Sequence, residues 1–423
     1  MPFPVRHLPL LQNWDCHARG TCCKEYAVEV SDDERRRIEA QGWDRDADLG
    51  GRAPFTARGW PWARKWFLNH RPDGSCVFLS EQGRCRIHER HGYEAKPLPC
   101  RLFPFILVPA GDHWRVGVRY ACPSAAANLG RSAAEHGPAL QAFAAQLAER
   151  EKIKPQPDGS LSPLPYLTPG ARVSWPDLYR CADALLELLG NRRDPLERRL
   201  RKCLALADAM GKARLKGVEG DRLGELLAVL RRAADAETPP NLMTLPPPGW
   251  VGRVLFRQAL AVFTRKDHGP LGGAALGGIT ARLAAAWRFA RGTGPAPRMH
   301  HGLPEATFEE VEKPRGPMPL EAEYILERYY LTKVGSLQFF GPASFDLPFW
   351  EGFEALAVTF PVLLWAARMF RDVPREEAVT RALTVVDDHV GFNRVLGTRR
   401  QRRSFQILAR QGELARLIGW YSR

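Results

Sequence analysis

Apolar residues follow two different patterns along this chain. Through residues 1–130 they form short clusters broken by Gly, Pro and Cys, and helical spacing is scarce. The main exception is Ser31-Asp32-Asp33-Glu34-Arg35-Arg36-Arg37-Ile38, where Ser31 and Glu34 fit a capping box. Residues 76–88 read as a β-hairpin: Val77-Phe78-Leu79, a turn at Glu81-Gln82-Gly83, then Arg84-Cys85-Arg86-Ile87-His88. A second strand pair is predicted over 105–108 and 114–118, joined by Pro109-Ala110-Gly111-Asp112. From about Ala133 the spacing turns helical, first around 178–186 and 223–230. Further helices are predicted over 195–212, 250–265, 279–291, 317–339, 346–371, 375–391 and 401–420.

These patterns predict an α+β fold: a small irregular cysteine-rich metal-binding head followed by a large all-helical body. The divisions fall at 1–130 for the head, 131–171 for a helix and Pro-rich connection, and 172–423 for the helical domain. The stretch 151–171 holds five Pro and two Gly and reads as a linker or long surface connection. No solenoid-type repeat is visible.

Composition is ordinary for a globular protein, with 45% hydrophobic and 26% charged residues. A chain of this length has core enough to fold without disulfides. Its formal charge of +14 comes from 50 Arg and 11 Lys, a bias that a GC-rich genome produces without any binding surface. Residues 394–423 hold eight Arg and one Glu. A solvated helix face accounts for that tail better than a nucleic-acid partner. The first residues carry no signal-peptide pattern. The longest largely apolar run, 355–367, is shorter than the roughly 20 residues of a membrane span. The expectation is a soluble, cytoplasmic protein with no membrane span.

Cysteine placement changes this picture most. Seven of the nine Cys lie between Cys16 and Cys122, spaced Cys16-x5-Cys22-Cys23, then Cys76-x8-Cys85-x14-Cys100-x21-Cys122. Without an export signal, such clustering points to metal or catalysis rather than disulfides. Thiolates suit zinc or an iron–sulfur cluster, and four complete either site. Two full sites would need His17, His88 or His113 in addition, or a bridging thiolate. Adjacent Cys22 and Cys23 fit a cluster or two neighbouring metals better than one small zinc site, so iron–sulfur is the first choice and zinc the second. In the hairpin, Gly83 favours a three-residue turn pairing Leu79 with Cys85. Cys76 then faces His88 on the other side of the ribbon, and both cysteines reach one site only if the strand is distorted. Cys181 and Cys203, on apolar helix faces, read as core.

Cys22-Cys23, Cys76-Val77-Phe78-Leu79, Gly83-Arg84-Cys85-Arg86-Ile87-His88-Glu89 and Cys100-Arg101-Leu102-Phe103-Pro104 resemble the YkgJ-type cysteine-cluster family over roughly residues 12–125. That resemblance implies a zinc- or iron-chelating domain. Two departures are the five-residue gap between Cys16 and Cys22, and Lys96-Pro97-Leu98-Pro99 where many members have Arg-Pro. The larger layout is similar to the flagellin lysine N-methylases, through Tyr329-Tyr330-Leu331, Phe339-Phe340, the apolar helix around 353–365 and Cys122-Pro123. That likeness implies methyl transfer from S-adenosylmethionine to lysines of a protein substrate.

The residues themselves leave the chemistry open. The Gly-rich segment 271–278 does not match G-x-G-x-x-G and reads as a turn, so a cofactor site would not be of Rossmann type. Glu321, Glu323, Tyr324, Glu327, Tyr329 and Tyr330 offer acidic and phenolic groups for a lysine pocket, although an exposed helix with an aromatic core edge uses the same letters. Trp60-Pro61-Trp62-Ala63-Arg64-Lys65-Trp66-Phe67 suits either peptide or base stacking, or covering the side of a small domain. Three classes therefore remain: a metal-bearing protein-modifying enzyme, a metal-delivery or partner-docking protein, and, least supported, a nucleic-acid binder.

Overall fold

The computed structural model of the chain describes residues 3–213, 215, 217–266, 269, 270 and 278–423. Most of the Gly-rich segment, 271–277, lies outside them. Strand Val5–His7 pairs in parallel with His113–Val118, which pairs antiparallel with Phe105–Ala110. The predicted hairpin is thus present, with a tighter turn: Ala110 faces His113 and only Gly111 and Asp112 lie between. A second sheet runs Glu29–Val30, Lys65–Leu68, Phe55–Arg58 in spatial order. The helix Asp32–Glu39 starts as its sequence predicts, with Ser31 and Glu34 exchanging both capping-box hydrogen bonds.

The body is built around one helix, Phe349–Ala367, of which only Glu351 and Ala355 are not buried. By length and composition it could cross a membrane, yet its apolar window is 89% buried inside the protein. It packs against the helices Leu196–Lys212, Arg375–Asp387 and Glu413–Tyr421. An all-round apolar helix of this kind belongs at the centre of a core. Cys181 and Cys203 are fully buried in that core, as expected.

Three sequence expectations need correction. The stretch 401–420 is two helices, Arg399–Arg410 and Glu413–Tyr421, because Gly412 takes a left-handed conformation (φ 69°) between them. The connection 151–171 contains most of a small hairpin, Tyr166–Thr168 with Ala171–Arg172, so the part beyond the head is not wholly helical. Residues 76–88 keep only the Leu79–Cys85 bridge of the predicted hairpin. The return segment is the helix Arg86–His91, which turns Ile87 into the core while Arg86 and Arg90 reach Asp48.

Two apolar clusters result. The large one unites the body with Trp14, the Phe105–Val118 strands, Tyr120 and Cys122. The small one contains Val30, Ile38, Leu49, Phe55, Leu68, Cys76, Val77, Phe78, Leu79 and Ile87, with Cys23, Cys85 and Cys100 against it. Hydrogen bonds and ion pairs join the regions. Asp387 accepts from the Tyr120 N–H at 2.6 Å, and Asp388 from the Tyr26 hydroxyl at 2.9 Å. Asp388 also pairs with Arg119 at 3.3 Å.

Candidate metal centre

Four separated segments bring the cysteines together. The loop after Asp15 carries Cys16 and enters the one-turn helix Cys22–Glu25, which presents Cys22 and Cys23. The Cys76 N–H donates to the Cys23 carbonyl at 2.7 Å, pinning those segments side by side. Arg71 closes the loop around Cys76 by donating to the carbonyls of Leu79 and Val77, each at 3.0 Å. The turn before Cys85 requires Gly83, whose φ is +77° and whose added Cβ would stand 2.4 Å from the Ala18 carbonyl oxygen. That contact brings the Cys16 loop onto the Cys85 turn. Cys85 then caps the helix Arg86–His91, and Cys100 rides on Leu98–Leu102.

Six sulfur-bearing residues, Cys16, Cys22, Cys23, Cys76, Cys85 and Cys100, line one cavity of about 870 Å³. Cys122 does not. It is buried beside Trp14 at the start of Pro123–Ala126, in the large core. The distortion that the three-residue turn demanded is supplied by ending the ribbon at Cys85. Cys76 bridges His70 instead of facing His88.

All the cysteines are free thiols. Burial pushes Cys100 up to about 12 and holds Cys76 and Cys85 above their ordinary range. For Cys22 the hydrogen bond with Cys23 acts first and burial second, again upward. Cys22, Cys76, Cys85 and Cys100 form a mutually coupled set: a charge on any of them disfavours charge on the others. Four thiols crowded in this way are poor acids alone and good ligands for a cation, which deprotonates them on binding.

The spacing of the sulfurs is informative. Cys22 and Cys23 Sγ are 3.9 Å apart. Among the described residues, no three cysteine sulfurs lie within 4.8 Å of one another. Four sulfurs at about 2.3 Å from one zinc would sit about 3.8 Å apart. A cluster with one iron behind each cysteine holds them further apart.

Sequence reasoning missed His70, which lines the same cavity. Its Nε2 is 3.2 Å from the Tyr26 carbonyl, and burial lowers its pKa, keeping it neutral. The only signal was its place six residues before Cys76. His88 also lines the cavity, edge-on to Tyr93. His17 is exposed with Nδ1 at 2.9 Å from the Asp15 carbonyl, and His113 is paired with Asp112 in its strand. Neither lines the cavity.

Residues 15–123 match the CxxCxxCC family model, whose description reads "Putative zinc- or iron-chelating domain". The head carries a CxxCxxCC domain. No curated protein and no solved structure matches the chain significantly. The matched stretch spans the six cavity cysteines and Cys122, and it takes in the small apolar cluster around the CxxCxxCC cavity.

Other sequence candidates are used structurally. Glu323 and Glu327 bind Arg199 at 2.7 and 2.9 Å, Tyr329 and Tyr330 are fully buried, and Tyr330 meets Thr359 at 2.8 Å. That helix, Leu320–Gly335, offers packing rather than an open lysine pocket. Trp60 and Trp62 stack at 5.3 Å and are 70% and 80% exposed at a hairpin tip, so they do not cover the domain. In the Arg-rich tail, Arg399, Arg400, Arg403 and Arg410 are exposed, while Phe405 and Leu408 are buried.

Glu25, His300 and His301 also lie within 4.8 Å of one another. The Gly302 N–H fills the His300 Nδ1 lone pair at 2.9 Å, and Glu25 already pairs with His301 at 2.8 Å and Lys266 at 3.1 Å.

Proposed function

We propose that the CxxCxxCC domain holds an iron–sulfur cluster through Cys22, Cys76, Cys85 and Cys100. Supporting this, charge on any one of these four disfavours charge on the other three, and among the described residues no three cysteine sulfurs lie as close together as one zinc ion would draw them. Cys16, exposed at the cavity edge, and Cys23 then flank the cluster rather than complete it. Bound there, the group would supply one-electron chemistry or Lewis acidity. Tyr26, Val28, Leu68 and Phe103 shield it on the apolar side, and Arg58 and Arg119 bring positive charge to the same cavity. Metal and acid-labile sulfide analysis on protein purified without oxygen tests the reading. About four iron and four sulfide per chain are expected; about one zinc without sulfide would replace the cluster with a structural zinc site.

A second reading places the chain in a protein-modifying system. A cavity of about 870 Å³ falls in the size range of small-molecule sites, leaving room for an organic ligand beside the metal. The likeness to flagellin lysine methylases makes S-adenosylmethionine the ligand to test. Saturable binding to metal-loaded protein, lost in Cys85→Ser, would support a protein-lysine methylase. Absence of binding would leave metal delivery or partner docking.

A further inference from the structure

We propose that Lys96 is the countercharge of the metal centre, a positioning residue whose ammonium holds the loaded site together. The inference rests on the metal reading above and gives a role to the first residue of Lys96-Pro97-Leu98-Pro99. Lys96 follows the short turn Tyr93–Ala95 and precedes Pro97, two residues before the helix that carries Cys100. Its Nζ lies 5.1 Å from the centre of the Tyr93 ring, and the residue lines the cavity with the six cysteines. The Tyr93 hydroxyl donates to the Arg101 carbonyl at 2.7 Å, which fixes the ring under the ammonium.

An ammonium half-buried in a cavity ordinarily has a carboxylate beside it. Here the neighbouring carboxylates are engaged elsewhere: Glu94 pairs with Arg101, and Glu34 pairs with Arg150 at 3.2 Å. The groups that favour charge on Lys96 are Cys100, Cys85, Tyr93 and Cys16, which together outweigh its burial. An ammonium facing this set of sulfurs is favoured most when they carry charge. Four thiolates around a dicationic zinc or cubane leave a net charge of about −2, which an ammonium at the cavity wall partly neutralises. Adding an electron to a cluster deepens that charge, so the same ammonium also favours the reduced form.

Full-length Lys96→Gln, Lys96→Arg and, as a surface control, Lys65→Gln would be compared with wild type. Two readouts apply: the rate at which a chelator removes the metal, and the ratio of reduced to oxidised cluster at a fixed applied potential. Lys96→Gln should lose metal about tenfold faster. Its reduced fraction should fall about tenfold relative to the oxidised one, equivalent to about 59 mV for one electron. Lys96→Arg and Lys65→Gln should stay close to wild type. If Lys96→Gln will not fold, Lys96→Met takes its place in both readouts with the same expected outcome. Metal-loaded Lys96→Gln that matches wild type in every applicable readout overturns it while the metal reading stands. If wild type holds zinc, the chelator rate alone decides. If wild type holds no metal, both fall.

Discussion

The head and the body solve the problem of buried polar groups in opposite ways. In the body, charges inside the core find partners in the core. Arg199 is held by Glu323 and Glu327, and Lys333 meets Asp387 at 2.7 Å with both side chains fully buried. In the head, six cysteines and Lys96 face a cavity, and the apolar cluster beside them is small. A core of that size contributes little stability alone. The body is complete as a folded object, whereas on the proposed reading the head is complete only once its cavity is filled.

Removing the metal gives the largest expected effect. Structural metal sites contribute on the order of 10 kcal/mol to the folding of the domain they staple. Stripped protein should exchange its backbone amides rapidly over residues 22–100, while Phe349–Ala367 stays protected in hydrogen-exchange mass spectrometry. Equal protection of both regions after stripping would end the comparison. The pH dependence follows from the raised thiol pKa values. The proposed ligands are held toward their protonated thiol forms, so binding would expel protons, and metal affinity should weaken about tenfold per ligand proton for each pH unit of acidification. A metal titration at pH 6, 7 and 8 checks the sign.

The body's counterpart is Lys333→Met. It leaves Asp387 buried without its cation and should cost about 3–5 kcal/mol. Denaturant unfolding of the body helices would report that loss. Metal content should not change, because Lys333 bonds to the Val118 carbonyl and Asp387 rather than to the cavity. Metal loss in this variant would mean that the Asp387–Tyr120 hydrogen bond carries body stability into the head.

Legibility in the sequence divided along the same line. Helix 195–212 was predicted almost to the residue, since a periodic apolar face reports its own burial, and 279–291 was matched too although Leu283 and Trp287 on it are exposed. The Ser31 cap was visible for a similar reason: its partners lie three residues apart. The cavity was only half legible. Cysteine clustering indicated a metal site, but the exclusion of Cys122 depends on its packing against Trp14, more than 100 residues away in sequence. His70 was missed as a cavity residue because it has no local pattern, and Lys96, noted only for standing where many relatives of the motif have Arg, was not placed in the cavity. The helix at Arg86–His91 overrode a strand-like reading once Asp48, from a distant turn, could receive Arg86 and Arg90.

Glu354 gives a smaller effect and reverses the usual sign of a mutation. It sits on the central helix, and burial pushes its carboxyl up to about 7. A folded-state value above the ordinary 4.5 means that the protonated form fits the core. Its favourable contribution is complete below about pH 4.5 and is lost as pH rises through 7. Glu354→Gln should therefore stabilise the body at pH 8 by up to about 3 kcal/mol and give no gain at pH 4. Thermal melts at the two pH values decide it, and a loss at pH 8 would show that the ionised carboxylate is used.

Two helix caps provide the smallest and sharpest contrast. Ser31 in the head accepts the Glu34 N–H at 3.2 Å, and Ser174 in the body accepts the Asp177 N–H at 3.2 Å. Substituting either by Ala should cost about 1 kcal/mol. The losses should surface in different measurements. If folding of the head and metal binding form one equilibrium, the loss at Ser31 appears as a weakening of metal affinity, about fivefold for 1 kcal/mol. The body's melting transition should hardly move. Ser174→Ala should do the reverse, lowering the body's transition while the metal titration overlays wild type. Identical metal curves for the two variants would mean that the head folds without its metal. The cavity would then be a preformed site on a stable domain rather than part of what makes the domain stable.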